Sequence, residues 1–142
     1  MDRAPGAAAG EFIWPVRVYF EDTDAGGIVY YANYLRFLER ARTEWLRSLG
    51  FEQDALMRDP GVVFAVRRVE IDYLRPARFN DALAVHARIA ERGRASLVFE
   101  HEIRRGPEVL CRGLVKVACL AADSLRPTAI PPAIVEGILN AE

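Results

Sequence analysis

The sequence predicts an α+β fold in which a five-stranded antiparallel sheet wraps around one long helix. Three observations carry that expectation. Residues 15–21, PVRVYFE, alternate apolar and polar with a period of two. Residues 33–49, NYLRFLERARTEWLRSL, change to a period of three and four. From residue 62 onward the chain is rich in β-branched and aromatic residues, broken at Gly93 and at Gly106-Pro107 into what should be a meander.

Each element follows in order. Residues 1–12 have the composition of a mobile tail, which leaves 13–142 as a single domain. In the first strand Val16, Val18 and Phe20 oppose Arg17, Tyr19 and Glu21. The helix carries Leu35, Leu38, Ala41, Arg42, Trp45, Leu46 and Leu49 on one stripe and Arg36, Glu39, Arg40, Glu44 and Arg47 on the other side. Asn33 is placed to cap its start and Gly50 to end it. A short helix is expected over 52–58, ahead of Pro60-Gly61. Strands are expected over 62–74, 82–91, 95–104 and 108–121, with Val66, Arg68, Glu70 and Asp72 on one face of the first of them. A last helix should follow Pro131-Pro132. An unpaired edge strand invites a second copy, so a dimer with a continuous sheet is expected.

Composition narrows the chemistry. A formal net charge of −1 gives no clustered positive field, which argues against a nucleic-acid partner. No window is apolar for long enough to make a transmembrane helix. The N-terminal residues lack the apolar run of a signal peptide, and the cytoplasm is the expected compartment. Cys111 and Cys119 lie eight apart on one expected strand, roughly 26 Å from each other. That separation excludes an intrachain disulfide and suggests buried reduced thiols, and neither a metal nor a redox cofactor is indicated. His86 and His101 fall in strands and read as structural residues. Serine-nucleophile, phosphate-loop and dinucleotide motifs are absent.

The chemistry therefore concentrates in EDTDAGGIVYYANY, residues 21–34, between the first strand and the helix. Three carboxylates, Glu21, Asp22 and Asp24, precede Gly26 and Gly27, and the helix start follows. Free N–H groups and the partial positive charge of a helix N-terminus polarise a carbonyl oxygen. The glycines let backbone approach a ligand. A carboxylate just upstream can attack that carbonyl or activate water against it. Asp22 reads as a turn cap. Position alone leaves Asp24 open between turn cap and catalyst.

Residues 16–51, VRVYFEDTDAGGIVYYANYLRFLERARTEWLRSLGF, resemble the 4-hydroxybenzoyl-CoA thioesterase branch of the hotdog-fold superfamily. Within it they are most similar to the acyl-CoA thioesterases associated with the Tol-Pal system. Residues 64–81, 94–103 and 131–138 share the resemblance. It implies hydrolysis of an acyl-CoA thioester by Asp24, as nucleophile or general base, with the backbone amide of Tyr31 polarising the carbonyl. Gly26, Gly27, Val29 and Asn33 would contact substrate, and Arg92 and Arg94 would meet the phosphates of coenzyme A. The resemblance further implies a homotetramer built from two dimers, and acyl carrier protein as a further partner. Alternatives within reach of the same sequence are a hotdog hydroxyacyl-thioester dehydratase and a noncatalytic acyl-carrier or lipid-synthesis scaffold.

Overall fold

The computed structural model describes residues 10–141. Five strands, β1 (Glu11–Arg17), β2 (Val62–Tyr73), β3 (Ala82–Arg92), β4 (Ser96–Arg105) and β5 (Glu108–Ala121), form one antiparallel sheet in the order β1-β3-β4-β5-β2. Three helices accompany it: α1 (Tyr31–Ser48), α2 (Gln53–Arg58) and α3 (Pro132–Ala141).

The first strand lies four residues earlier than its alternation suggests, and the reason is its partner. β1 pairs with β3 from Glu11↔Arg88 to Arg17↔Ala82, and β3 has no residues before Ala82 to extend the ladder. Val18 still exchanges backbone bonds with Asn80 and Asp81, after which a 3-10 turn takes Phe20–Asp22. At the other end Phe12 and Trp14 stack side by side on one face, so Glu11 and Phe12 belong to the sheet rather than to a tail. Residues 1–9 of that segment lie outside the described residues. Pro15 is tolerated because β1 is an edge.

α1 is amphipathic, as its period requires, but its buried face is rotated from the expected stripe. Asn33, Tyr34, Phe37, Leu38, Ala41, Trp45 and Leu46 are buried while Leu35 is exposed. The N-cap is Tyr30, so Asn33 lies inside the first turn and is not the cap. Gly50, at φ +98°, ends the helix as expected. The buried face reaches β4 through Trp45 against Phe99 (5.0 Å between ring centroids), and β2 through Tyr34 against Tyr73 (5.3 Å). Phe99↔Val115 and Val85↔Ile103 continue this inner face across the sheet. The outer face carries charge: Arg88 pairs with Glu100 and Glu102 with Arg104 and Arg112.

One correction concerns β2. A bulge at Arg67 separates Val66↔Val117 from Arg68↔Lys116, so Val66 shares the inner face with Val69, not the outer face with Arg68. Cys111 and Cys119 are buried free thiols, and burial, with Asp72 nearby, pushes the Cys111 thiol up to about 12.

His101 sits between α1 and the sheet. Its Nδ1 lies 2.9 Å from the His86 carbonyl and its Nε2 lies 3.1 Å from Nη1 of Arg42. A guanidinium only donates and a carbonyl only accepts, so the pair of contacts requires the neutral tautomer with the proton on Nδ1. Burial first, and the Arg42 charge second, lower its pKa to about 3. Unfolded histidine takes a proton near 6.5. Below that pH the unfolded chain binds a proton that the native state refuses, so stability falls as pH drops from about 6.5 toward 3. The melting temperature of the wild type should decline between pH 6.5 and 5, before most carboxylates titrate. His101→Gln should flatten that limb of the profile.

Candidate active site

The loop between β1 and α1 is held as a short hairpin. The Asp24 N–H donates to the Ile28 carbonyl (2.9 Å), Thr23 bridges Val29, and the Tyr30 N–H donates to the Asp22 carbonyl (2.9 Å). Val29 is buried, and its N–H donates to Ala77, which docks the hairpin on the segment before β3.

The two aspartates are opposites. Asp22 is buried, at 5 % exposure, and its Oδ2 accepts from the Tyr19 N–H (2.8 Å) while Oδ1 accepts from the side-chain amide of Asn33 (3.0 Å). It clamps the 3-10 turn to the first turn of α1. One N–H of the Asn33 amide is thereby engaged by Asp22, which gives this side chain a positioning role. Asp24 is exposed, and its Oδ1 accepts from the Gly26 N–H (2.8 Å). Its Oδ2 has no hydrogen bond among the described residues. The turn-cap reading of Asp24 accounts for one oxygen, which closes the turn onto Gly26, and leaves the other without a partner.

Gly27 has φ +80°, which lets the hairpin turn, and its N–H donates to the Asp24 carbonyl. A Cβ on Gly26 would stand 3.2 Å from Asp24 Oδ1, so a side chain there would press on the carboxylate. At the helix start the Asn33 N–H donates to the Tyr30 carbonyl, but no carbonyl or side chain among the described residues takes the Tyr31 N–H. With Asp22 opposite Tyr30, Asp24 and Tyr31 diverge from adjacent points of the stem, their Cα atoms on the order of 10 Å apart. A carboxylate side chain and a substrate carbonyl together span such a gap.

Arg92 and Arg94 are not brought to this place. The loop adjoins the start of β3, whereas Arg92 ends that strand and Arg94 follows it, on the order of 30 Å away. Neither histidine reaches the loop, since His86 faces Glu11 (3.1 Å) and His101 is engaged with Arg42. Sequence reasoning missed the aromatic wall beside the helix start. Tyr31 lies 4.9 Å from Tyr30 and 6.1 Å from Tyr73, and Tyr73 comes from the far end of β2. Tyr34 accepts the Ala77 N–H through its hydroxyl (2.9 Å), tying α1 to the same segment that holds Val29. No local signal links residues so far apart in the chain. Asp24, Gly26, Gly27, Tyr30 and Tyr31 are all exposed, so in one subunit the loop and the helix start lie at the surface.

Residues 26–112 match the family model described as Thioesterase superfamily. The chain belongs to that family. Its fold is the hotdog fold, a five-stranded antiparallel sheet with helices, and the family match begins at the hairpin glycine that touches Asp24. The acyl-CoA thioesterase YbgC of Haemophilus influenzae is 45% identical over 120 residues, covering 84% of this chain and 88% of that protein. A probable thioesterase from Bartonella henselae superposes with a TM-score of 0.82 at 35% identity, covering 85% of this chain and 99% of that one. The 4-hydroxybenzoyl-CoA thioesterase of a Pseudomonas strain shares the fold, with a TM-score of 0.84 at 24% identity over 91% of this chain and 99% of that one.

The unlike surroundings of the two aspartates separate their substitutions. Asp22→Ala should cost about 3 kcal/mol of stability, because it removes two hydrogen bonds to a charged acceptor and leaves the buried Asn33 amide unpaired. Asp24→Asn keeps an oxygen for the Gly26 N–H and should stay within about 0.5 kcal/mol of wild type. Urea denaturation midpoints of the two variants check both statements.

Proposed function

We propose that the chain hydrolyses acyl-CoA thioesters, with Asp24 as the catalytic carboxylate and the Tyr31 N–H as the carbonyl donor. The observation that carries this reading is the pairing of a half-anchored carboxylate with an open helix start on one rigid hairpin. The thioester oxygen would accept from Tyr31 at the positive end of α1, so that charge developing on it is stabilised. The free Oδ2 of Asp24 would attack the carbonyl carbon, or take a proton from a water that does. The tetrahedral oxyanion then expels coenzyme A thiolate, a leaving group that needs little help from an acid. Where Asp24 itself attacked, water then hydrolyses the aspartyl–acyl anhydride, releasing the acid and restoring the carboxylate. None of these steps calls for a metal or a redox cofactor. The identity of 45% with an acyl-CoA thioesterase supports the substrate class.

The working assembly belongs to the same proposal. Among the described residues β2 pairs only with β5 and its other edge runs free, with Val66 and Val69 partly exposed. Pairing of two such edges would give a dimer with a continuous sheet and would wall the open site with a second subunit. Two dimers would make the tetramer. Arg92 and Arg94 can serve coenzyme A only in such an assembly, across a subunit boundary. α1 would then be the central helix of each roll. Two unpaired cysteines fit a reducing compartment, in keeping with a cytoplasmic enzyme that serves the Tol-Pal envelope system and draws acyl groups from coenzyme A or acyl carrier protein.

Free thiol released from an acyl-CoA panel tests the reading. Wild type should turn over at least one member. Asp24→Asn should lose at least about a hundredfold in kcat with little change in KM, as expected for a group used in the transition state. Gly26→Ala should lower kcat through the carboxylate it crowds, with an unchanged melting temperature. An Asp24→Asn variant as fast as wild type removes the site assignment. A wild type inert on every chain length leaves the scaffold reading in its place.

A further inference from the structure

A cavity of about 190 Å³ lies in the seam between α1 and the sheet, under the C-terminal half of the helix. It is well apart from the loop site, since Arg42 follows Tyr31 by eleven residues, roughly 17 Å along the axis. The apolar part of its lining includes Trp45, Phe64, Leu97, Phe99 and Val117. A wholly apolar cavity of about 150 Å³ holds benzene, so by size this one takes a single small ring or a short aliphatic chain.

The lining also contains one cation. Arg42 is partly buried, 6.0 Å from the centroid of the Phe99 ring, with no carboxylate in salt-bridge contact among the described residues. One of its donors is spent on neutral His101, a pairing that neutralises nothing. Glu39 stands at the rim, exposed and one turn away, and Thr43 and Gln53 bond each other beside it. Glu39 attracts this guanidinium only through space, and a charge held largely out of water gains from an anion in direct contact.

We infer that this seam is a second ligand site, which binds a small apolar carboxylic acid with its carboxylate on Arg42 and its body against Trp45 and Phe99. The site goes beyond the proposed hydrolysis and does not depend on it. Although burial lowers the Arg42 pKa to about 10, the guanidinium stays charged at neutral pH and the ion pair is available throughout the physiological range.

Benzoate and its uncharged isostere benzamide, titrated into the full chain by calorimetry, test the inference. Benzoate should bind one site per chain, and benzamide at least about tenfold more weakly, for want of the charge-assisted bonds. Arg42→Met should lose benzoate binding by a similar factor, with Arg42→Lys in between. Trp45 locates the ligand: hexanoate should quench or shift the fluorescence of Trp14→Phe, in which Trp45 is the remaining tryptophan. Absent benzoate binding, equal affinity for benzamide, an undiminished Arg42→Met or an indifferent Trp45 would each overturn the site. Should Arg42→Met fail to fold, the acid–amide comparison and the Trp45 signal decide the matter on chains that retain Arg42.

Discussion

The buried carboxylate of Asp22 is the constraint on which the rest of the loop depends. It joins a backbone N–H of the 3-10 turn to a side-chain amide in the first turn of α1. Such bonds are worth more in a desolvated setting than in water, and losing either leaves a polar group stranded. Because Asp22 also accepts the Tyr30 N–H through its carbonyl, the helix can begin only where it does. The Tyr31 N–H is left over by that arithmetic. The open donor at the helix start is thus a consequence of where its neighbours are tied, and Asp22 prepares the site without touching it.

Two charge environments sit at opposite ends of α1. At the start, the exposed Asp24 carboxylate lies near the partial positive charge of the helix. Further along, Arg42 lies against the buried His101, and burial together with the Arg42 charge keeps that imidazole neutral. A helix flanked this way separates a solvated carboxylate loop from a partly enclosed guanidinium. The fully buried Phe37 and Ala41 lie between them and keep the two regions apart.

Much of the fold was legible because periodicity is a direct record of which face is buried. The helix, the four later strands and the turns at Gly93 and Gly106 follow from it, and so does the placing of Asp24 beside a helix start. What escaped has a common cause: it depends on partners distant in sequence. β1 stops where β3 begins, which alternation within β1 cannot reveal. The bulge at Arg67 inverts the phase of β2 without any residue type that announces it. Asn33 has the right chemistry for a cap, but Asp22 claimed its amide first. Arg92 and Arg94 have the right charge for phosphate and sit at the wrong end of β3 for a site within one subunit. Arg42 looked like part of an apolar stripe, and its burial is real, but only the fold shows the cavity beside it.

The hydrogen bond from Gly26 to Asp24 sets a length as well as a direction. An aspartate is short enough to close a small ring onto the amide two residues ahead, and that ring fixes the torsions that aim its other oxygen. Glutamate would bring the same charge on a stem with one more rotatable bond, too long for the ring and free to sweep. The hairpin therefore discriminates between two acids that electrostatics alone would treat as equals, and it does so with main chain, before any substrate arrives.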